Sequence, residues 1–318
     1  MKKKIIVLSL FVLVFAACFI PVTQLITVSV KAPFLTVFNH LSEPSNWEKW
    51  RPDLNKVFLI DSAKIAIKKD GSSFFQLKYQ DHELNVRSKG YTFFIHDRWN
   101  NKIANYSYTV TPIYDKFLNK SSVTVDKKTY LFNYLVGKVS TTSFEDTHIN
   151  DLKNFMETDS LRYGCKIFRT KVSDTSLIVI NREVLEKDKF SEASKMLPLL
   201  QQYLKTHHDI KQTRPLIAQF LPKGKDSTEV KIGIFINKKV NSENGITYSR
   251  MPKGGTFYIG EYKGRFDQRG KVYAGMKEYF ASHLYQLALI PFETYLDNKL
   301  PVSDTDRINI QVVFPSYF

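Results

Sequence analysis

The sequence predicts an α+β protein: a membrane helix at the N-terminus, then two domains that each set helices against an antiparallel sheet. Three observations predict this. An uncharged run from Ile5 to Val30 follows Lys2, Lys3 and Lys4. Segments of strand-like alternation fill residues 64–136 between short helical stretches. From residue 176 onward, a strand–helix–strand–strand order occurs twice at nearly constant spacing. The chain's 318 residues, 43% of them hydrophobic, are enough to bury the cores of two such domains. The expected divisions are 1–21, 22–158 and 159–318.

The strongly apolar part of the first segment, Ile5 to Ile20, is 16 residues long, a little under the roughly 20 that a bilayer core requires. Lysine side chains that reach back to the interface make up the difference, and Pro21 ends the helix. A retained single-pass anchor over residues 5–21 is the expectation. Two alternatives stay open: Ala16-Ala17-Cys18 supplies the small residues and cysteine of a lipoprotein signal, and the run also suits a cleaved signal peptide. Lys2, Lys3 and Lys4 before the segment, against Lys31 shortly after it, put the N-terminus in the cytoplasm and the folded domains outside the cell membrane.

Residues 22–31 alternate as a first strand, and Ala32-Pro33 opens an apolar helix, FLTVFNHL, with Pro33 in the first turn where its missing N–H is no loss. Glu43 to Pro52 completes a pair of short helices, with Trp47 and Trp50 packing them on the sheet. Strand-like segments follow: KIAIKK, SFFQLKY, LNVRSKGYTFFIHDRW, KIANYSYTVTP and SSVTVDKKTYLFNYLV. FEDTHINDLKNFMET then reads as a closing helix with Phe144, His148, Leu152 and Phe155 on one face. His82 and Glu83 fall in a turn, and His96-Asp97-Arg98-Trp99 reads as surface polar residues beside a packed tryptophan. This order, with Ala32-Pro33-x-x-x-Val37-Phe38 and Asn46-Trp47-x-x-Trp50-x-Pro52, resembles the START-like polyketide cyclase/dehydrase superfamily (SRPBCC). The resemblance implies a helix-grip fold over residues 22–158, a curved sheet around an apolar cavity.

The repeated order begins with SLIVI (176–180), SKMLPLLQQYLKT (194–206), RPLIAQF (214–220) and VKIGIFI (230–236). It returns as a strand ending in Gly264, the helix KVYAGMKEYFASHLYQ, a strand holding Pro291-Phe292-Glu293-Thr294-Tyr295, and RINIQVVFPSYF. Pro215 to Pro291 is an offset of 76 residues, Ile178 to Tyr258 of 80, and Ile232 to Ile310 of 78. Met196, Leu200 and Tyr203 share one helix face, as do Val272, Met276, Tyr279 and His283. Two pseudo-symmetric βαββ repeats are expected to pair and leave a groove along their pseudo-twofold. Alternation puts Glu293 and Tyr295 on one face of their strand, with Phe292, Thr294 and Leu296 on the other.

Residues 165–318 resemble the GyrI-like small-molecule-binding domain, also called the AraC-type effector-binding domain. The resemblance rests on Tyr258-Ile259-Gly260-Glu261-Tyr262-Lys263-Gly264, on Pro291 through Tyr295, and on the close at Phe314-Pro315. It implies a groove for hydrophobic, often cationic molecules, with an acidic residue near this strand that meets the ligand's charge. Some relatives hydrolyse cyclopropane-containing toxins with a Glu, a Tyr and a pocket Trp. Glu293 and Tyr295 match the acid and the phenol, but no Trp follows Trp99, so that aromatic wall is missing. The expected ligand-binding set is Glu293, Tyr295, Tyr258, Tyr262 and Tyr273. Buried among phenols, a lone carboxylate has its pKa raised, and a bound cation restores its charge. Pairing with an Arg or Lys, or plain solvation of Glu293, are the alternatives.

Other chemistries find little support. Cys18 lies in the apolar run and leaves Cys165 without a disulfide partner, as a small buried hydrophobe. His207-His208-Asp209 end a helix and do not converge on a metal. There is no nucleophile elbow, phosphate-cradling glycine loop or zinc spacing, so neither cofactor nor metal is expected. The net charge of +15 comes from dispersed Lys and Arg without a DNA-reading motif, and no nucleic-acid partner is expected. The expected function is binding of a small hydrophobic or cationic molecule at the membrane. A hydrolase of toxic small molecules using Glu293 and Tyr295, or a non-catalytic protein-interaction scaffold, are the alternatives.

Overall fold

The computed structural model describes residues 15–317 apart from 100–101, 115–118, 133, 136–146, 174–175 and 252. The chain divides into two units, one ending at Arg162 and one beginning at Tyr163. Both are mixed α+β, each with one antiparallel sheet. Residues 1–14, most of the expected membrane helix, lie outside the described residues. Among the described residues no helix is long and apolar enough to cross a membrane. Strand β1 (Pro21–Val30) begins at the proline expected to end that helix.

In the first unit, α1 (Phe34–Ser42), α2 (Pro44–Trp50) and α3 (Pro52–Asp61) follow β1. Then come β2 (Ala66–Asp70), β3 (Phe74–Tyr79), β4 (His82–Lys89), β5 (Thr92–Trp99), β6 (Lys102–Ile113) and β7 (Lys120–Tyr130), with α4 (Ile149–Glu157) and α5 (Asp159–Arg162) last. The sheet order is β1-β7-β6-β5-β4-β3-β2, so the first strand closes the sheet against the last. Alternate residues such as Leu84, Val86, Phe93 and Tyr108 face the helices and meet Val37, Leu41, Trp47, Trp50, Leu152 and Phe155. The helices lie on this one face of the sheet, with Trp47 and Trp50 buried as the sequence predicts and their rings 4.8 Å apart.

Two local expectations change. Pro52 does not end the helical pair but starts α3, since proline at the first helical position loses no hydrogen bond. The closing helix is shorter than its periodicity suggests. Its Phe144 lies outside the described residues, and His148 sits at φ 56°, a left-handed cap that cannot belong to a right-handed helix.

The second unit contains β8 (Ile167–Lys171), β9 (Ser176–Leu185), α6 (Lys189–Thr206), β10 (Ile217–Lys223), β11 (Ser227–Phe235) and β12 (Thr247–Arg250). It continues with β13 (Thr256–Arg265), α7 (Gly270–Ser282), β14 (Phe292–Tyr295) and β15 (Arg307–Ser316). Its sheet order is β12-β9-β11-β10-β14-β15-β13-β8. The two repeats are therefore β9-α6-β10-β11 and β13-α7-β14-β15. They enter the sheet as β9-β11-β10 and β14-β15-β13, joined where Ile217 pairs with Thr294 and Ala218 with Glu293. Met196, Leu200 and Tyr203 of α6 and Val272, Met276 and Phe280 of α7 pack in one cluster on one sheet face. A smaller cluster including Val179, Ile217, Phe257 and Phe292 covers part of the other.

Helix α7 lies unusually close to its surroundings. A Cβ at Gly260 would come 2.9 Å from Met276 Sδ, and one at Gly275 would come 2.0 Å from the Tyr163 carbonyl oxygen. The helix also stops sooner than expected, at Ser282. His283 is its C-terminal cap and not a fourth face residue, with Nδ1 2.8 Å from the Tyr279 carbonyl.

Candidate functional site

Three side chains converge on the carboxylate of Glu293. Strand β14 points Glu293 and Tyr295 to the helix-bearing face, and Tyr295 Oη donates to Glu293 Oε2 at 2.6 Å. From α7, Tyr273 Oη donates to Oε1 at 3.1 Å. Arg269, on the turn between β13 and α7, donates through Nε to the same oxygen at 2.7 Å. Glu293 is 1% exposed, whereas the Arg269 side chain is 20% exposed, so the arginine is the wet end of the pair.

The local fold explains this geometry. After β13 a short 3₁₀ turn, Phe266–Gln268, carries the chain into α7 and leaves Arg269 at the helix entrance. The guanidinium carbon of Arg269 lies 3.5 Å over the Phe266 ring, and Nη1 donates to the Phe266 carbonyl at 3.1 Å. Phe266 is itself fully buried, so the cation rests on an aromatic face held in the core. An ionised carboxylate in this interior needs a countercharge and hydrogen bonds to offset its lost hydration. Arg269 gives the first and the two tyrosines add the second. Burial, and then the charge of Glu293, push both Tyr273 and Tyr295 well above the usual phenol pKa, so each remains a protonated donor.

Of the alternatives open for Glu293, pairing with arginine is the one adopted. The expected set is brought together only in part. Glu293, Tyr273 and Tyr295 meet, but Tyr258 and Tyr262 lie on β13, with β15 between that strand and β14. Tyr258 packs on Tyr285 and Phe280 at 4.8 and 5.2 Å between ring centres, and burial raises its pKa. Tyr262 Oη donates to the Arg265 carbonyl at 2.7 Å. Arg269 and Phe266 had no sequence signal of their own, because a turn residue 24 positions from its partner leaves no periodic trace.

A cleft of about 680 Å³ opens at the start of α6, with Glu186, Lys189, Phe190, Asp226 and Asp304 in its wall. Lys189 Nζ lies 2.9 Å from Asp304 and 2.5 Å from Glu186. The Phe190 ring meets Phe266 edge-on at 5.1 Å. Phe266 thus touches both the cleft wall and the cation that neutralises Glu293. Glu293 does not itself line this cleft.

The first unit holds a second polar cluster where the sequence suggested surface residues. His82 and Asp97 are buried, with Nε2 3.0 Å from Oδ1 across the β4–β5 hairpin. Arg51, 1% exposed, donates through Nη1 to Asp97 at 2.5 Å and through Nε to Asp53 at 3.1 Å. Burial would raise the Asp97 pKa, but the His82 hydrogen bond and the Arg51 charge outweigh it and hold the carboxyl below its usual range. Alternation alone already placed Asp97 with Phe93 and Ile95 on the core face, a signal that the charged string 96–98 obscured. A hollow of about 590 Å³ in this unit opens on the sheet face away from the helices. Among the described residues no group of three His, Cys, Asp or Glu side chains is placed to hold a metal ion.

No family model and no curated protein matches this chain. Solved structures do give matches. The EcmrR C-terminal domain is 18% identical over 48% of this chain and 96% of that one, with a TM-score of 0.38. A START superfamily protein from Mycobacterium smegmatis is 15% identical over 42% and 97%, with a TM-score of 0.28. The di-domain ARO/CYC BexL from the BE-7585A biosynthetic pathway is 10% identical over 68% and 85%, with a TM-score of 0.31. At these values the likenesses carry no functional argument, and the fold class rests on the topology described above.

Proposed function

We propose that this chain binds small hydrophobic or cationic molecules through a GyrI-like domain over residues 159–318, with a START-like domain over 22–158. A membrane anchor over residues 5–21 would hold both outside the cytoplasm. The observation that carries the binding reading is the buried Glu293 carboxylate, bonded by Tyr273 and Tyr295 and neutralised by a partly exposed Arg269. Arg269 occupies the position of a ligand's cation. A hydrophobic cation entering from the Phe190–Phe266 side displaces the guanidinium into water and takes over the carboxylate and aromatic faces. Hydrolysis is less well served, since a general base needs an oxygen free to accept a proton from water. Here Oε1 accepts from Arg269 and Tyr273, and Oε2 accepts from Tyr295.

Titration of the detergent-solubilised full chain with tetraphenylphosphonium, followed by calorimetry, tests this reading. Arg269→Ala is expected to bind the cation more tightly and Glu293→Gln to bind it about tenfold more weakly. Unchanged affinity in both variants would remove the carboxylate from the binding site. Carbonate extraction of membranes tests the anchor. The wild-type chain is expected in the pellet, and Leu8→Arg/Leu13→Arg in the supernatant.

A further inference from the structure

The outer face of the first unit's sheet has a construction that its helix-facing side does not need. The 590 Å³ hollow there is crossed by one row of directly paired residues, Phe74–Arg87–Phe94–Ser107–Asp126, running over β3 to β7. A second row beside it runs Asn85–His96–Asn105, and Lys128 stands two residues along β7 from Asp126. Ser107 and Asn105 on β6 are short, so the middle of the face is low while Arg87, Phe94 and Lys128 rise at its sides. The floor includes Ile95 and Tyr106, whose side chains point the other way into the core. A pocket of this size suits a single ring system bound on one side by aromatic surface and fixed by a few polar groups.

Its charge is not internally cancelled. Arg87 sits with its guanidinium carbon 5.9 Å from the centre of the Phe74 ring, and neither Arg87 nor Lys128 has an ion-pair partner among the described residues. Among the described residues Asp126 is the one carboxylate in the wall, so two cationic side chains face one anionic one. Phe94 is half exposed, so its ring offers an open aromatic face to the hollow. His96 Nδ1 is engaged with Asn105 Oδ1 at 2.7 Å, which orients both polar side chains along the second row.

We infer that this hollow is a binding site for a planar aromatic anion, a ring bearing one carboxylate or sulfonate. The ring lies over Ser107 against Phe94, and its anionic group meets Arg87, whose planar fork donates two parallel hydrogen bonds to such oxygens. Lys128 adds charge from the far wall, and the Asn105 amide nitrogen reaches the ring's polar substituents, while Asn85 Nδ2 is held by Glu83 Oε1 at 2.9 Å. The site is separate from the Glu293 cluster and does not depend on the reading proposed for it.

The test uses naphthalene-1-sulfonate and its uncharged counterpart 1-naphthalenemethanol, titrated calorimetrically against the full chain. Wild type is expected to prefer the sulfonate. Arg87→Gln should weaken sulfonate binding by about tenfold or more, and Ser107→Phe, which fills the hollow, should abolish it. Glu293→Gln, in the other unit, should leave it unchanged. All these side chains except Glu293 lie on the outer face, so circular dichroism of the two outer-face variants is expected to match wild type. If Ser107→Phe misfolds, Phe94→Ser serves in its place, with about a tenfold loss expected. Equal sulfonate affinity in wild type and Arg87→Gln would overturn the proposal. So would loss of binding in Glu293→Gln, or binding of oligouridylate in preference to the monoanion with the same residue dependence.

Discussion

Arg269 Nε stands 2.7 Å from Glu293 Oε1, and this contact joins the entrance of a helix to the strand at which the two βαββ repeats meet. Its two ends are unequal. Glu293 is sealed from water while Arg269 is 20% exposed, so the loss of each partner has a different cost. Arg269→Ala strands a buried carboxylate and is expected to destabilise the second unit by about 3 kcal/mol. Glu293→Gln lets the arginine turn to solvent and keeps the tyrosine donors partly satisfied, for a loss of about 1 kcal/mol. A double-mutant cycle by urea denaturation should show strong coupling. Additive losses would mean that the pair contributes nothing as a pair.

His40 gives the first unit a pH dependence near neutrality. It is 4% exposed, with Nδ1 2.9 Å from the Thr36 carbonyl and Nε2 without a hydrogen-bond partner among the described residues. Burial lowers its pKa from 6.5 to about 4, aided by the charges of Lys49 and Arg162 and opposed by the Thr36 hydrogen bond. The folded state thus binds the proton less readily than the unfolded state. The resulting stabilisation is complete above about pH 6.5 and is lost as pH falls toward 4, by about 3 kcal/mol in total. Denaturation midpoints of the first unit between pH 7 and pH 4.5 should fall accordingly, and His40→Gln should flatten that slope. Asp53 and Asp97, whose pKa values are depressed, act only at lower pH.

Gly275 is a packing requirement of α7. Alanine is ordinarily favoured over glycine inside a helix by about 1 kcal/mol. Here its methyl would sit 2.0 Å from the Tyr163 carbonyl oxygen, a backbone atom with no rotamer to escape into. Gly275→Ala is therefore expected to cost about 2–3 kcal/mol despite the propensity gain. A thermal melt that rises in this variant would show that the helix shifts freely away from residue 163.

The sequence by itself determined most of the strands, the main helices and the repeat, because alternation and helical spacing are local consequences of which face is buried, but not α3, β8 or β12, nor where α4 begins and α7 ends. It also determined that Glu293 and Tyr295 point the same way, since two-residue spacing on a strand allows nothing else. Only the tertiary structure decided what those groups meet. Arg269 reaches Glu293 through the placement of a turn, Arg51 reaches Asp97 from 46 residues away, and Tyr258 is drawn off to Tyr285 at the other end of α7. The same holds for the hollow over Ser107, which five strands build in register. Periodicity reports how a segment divides water from core. Charge pairing and cavity shape depend on distances between segments, and those are set only when the sheets close.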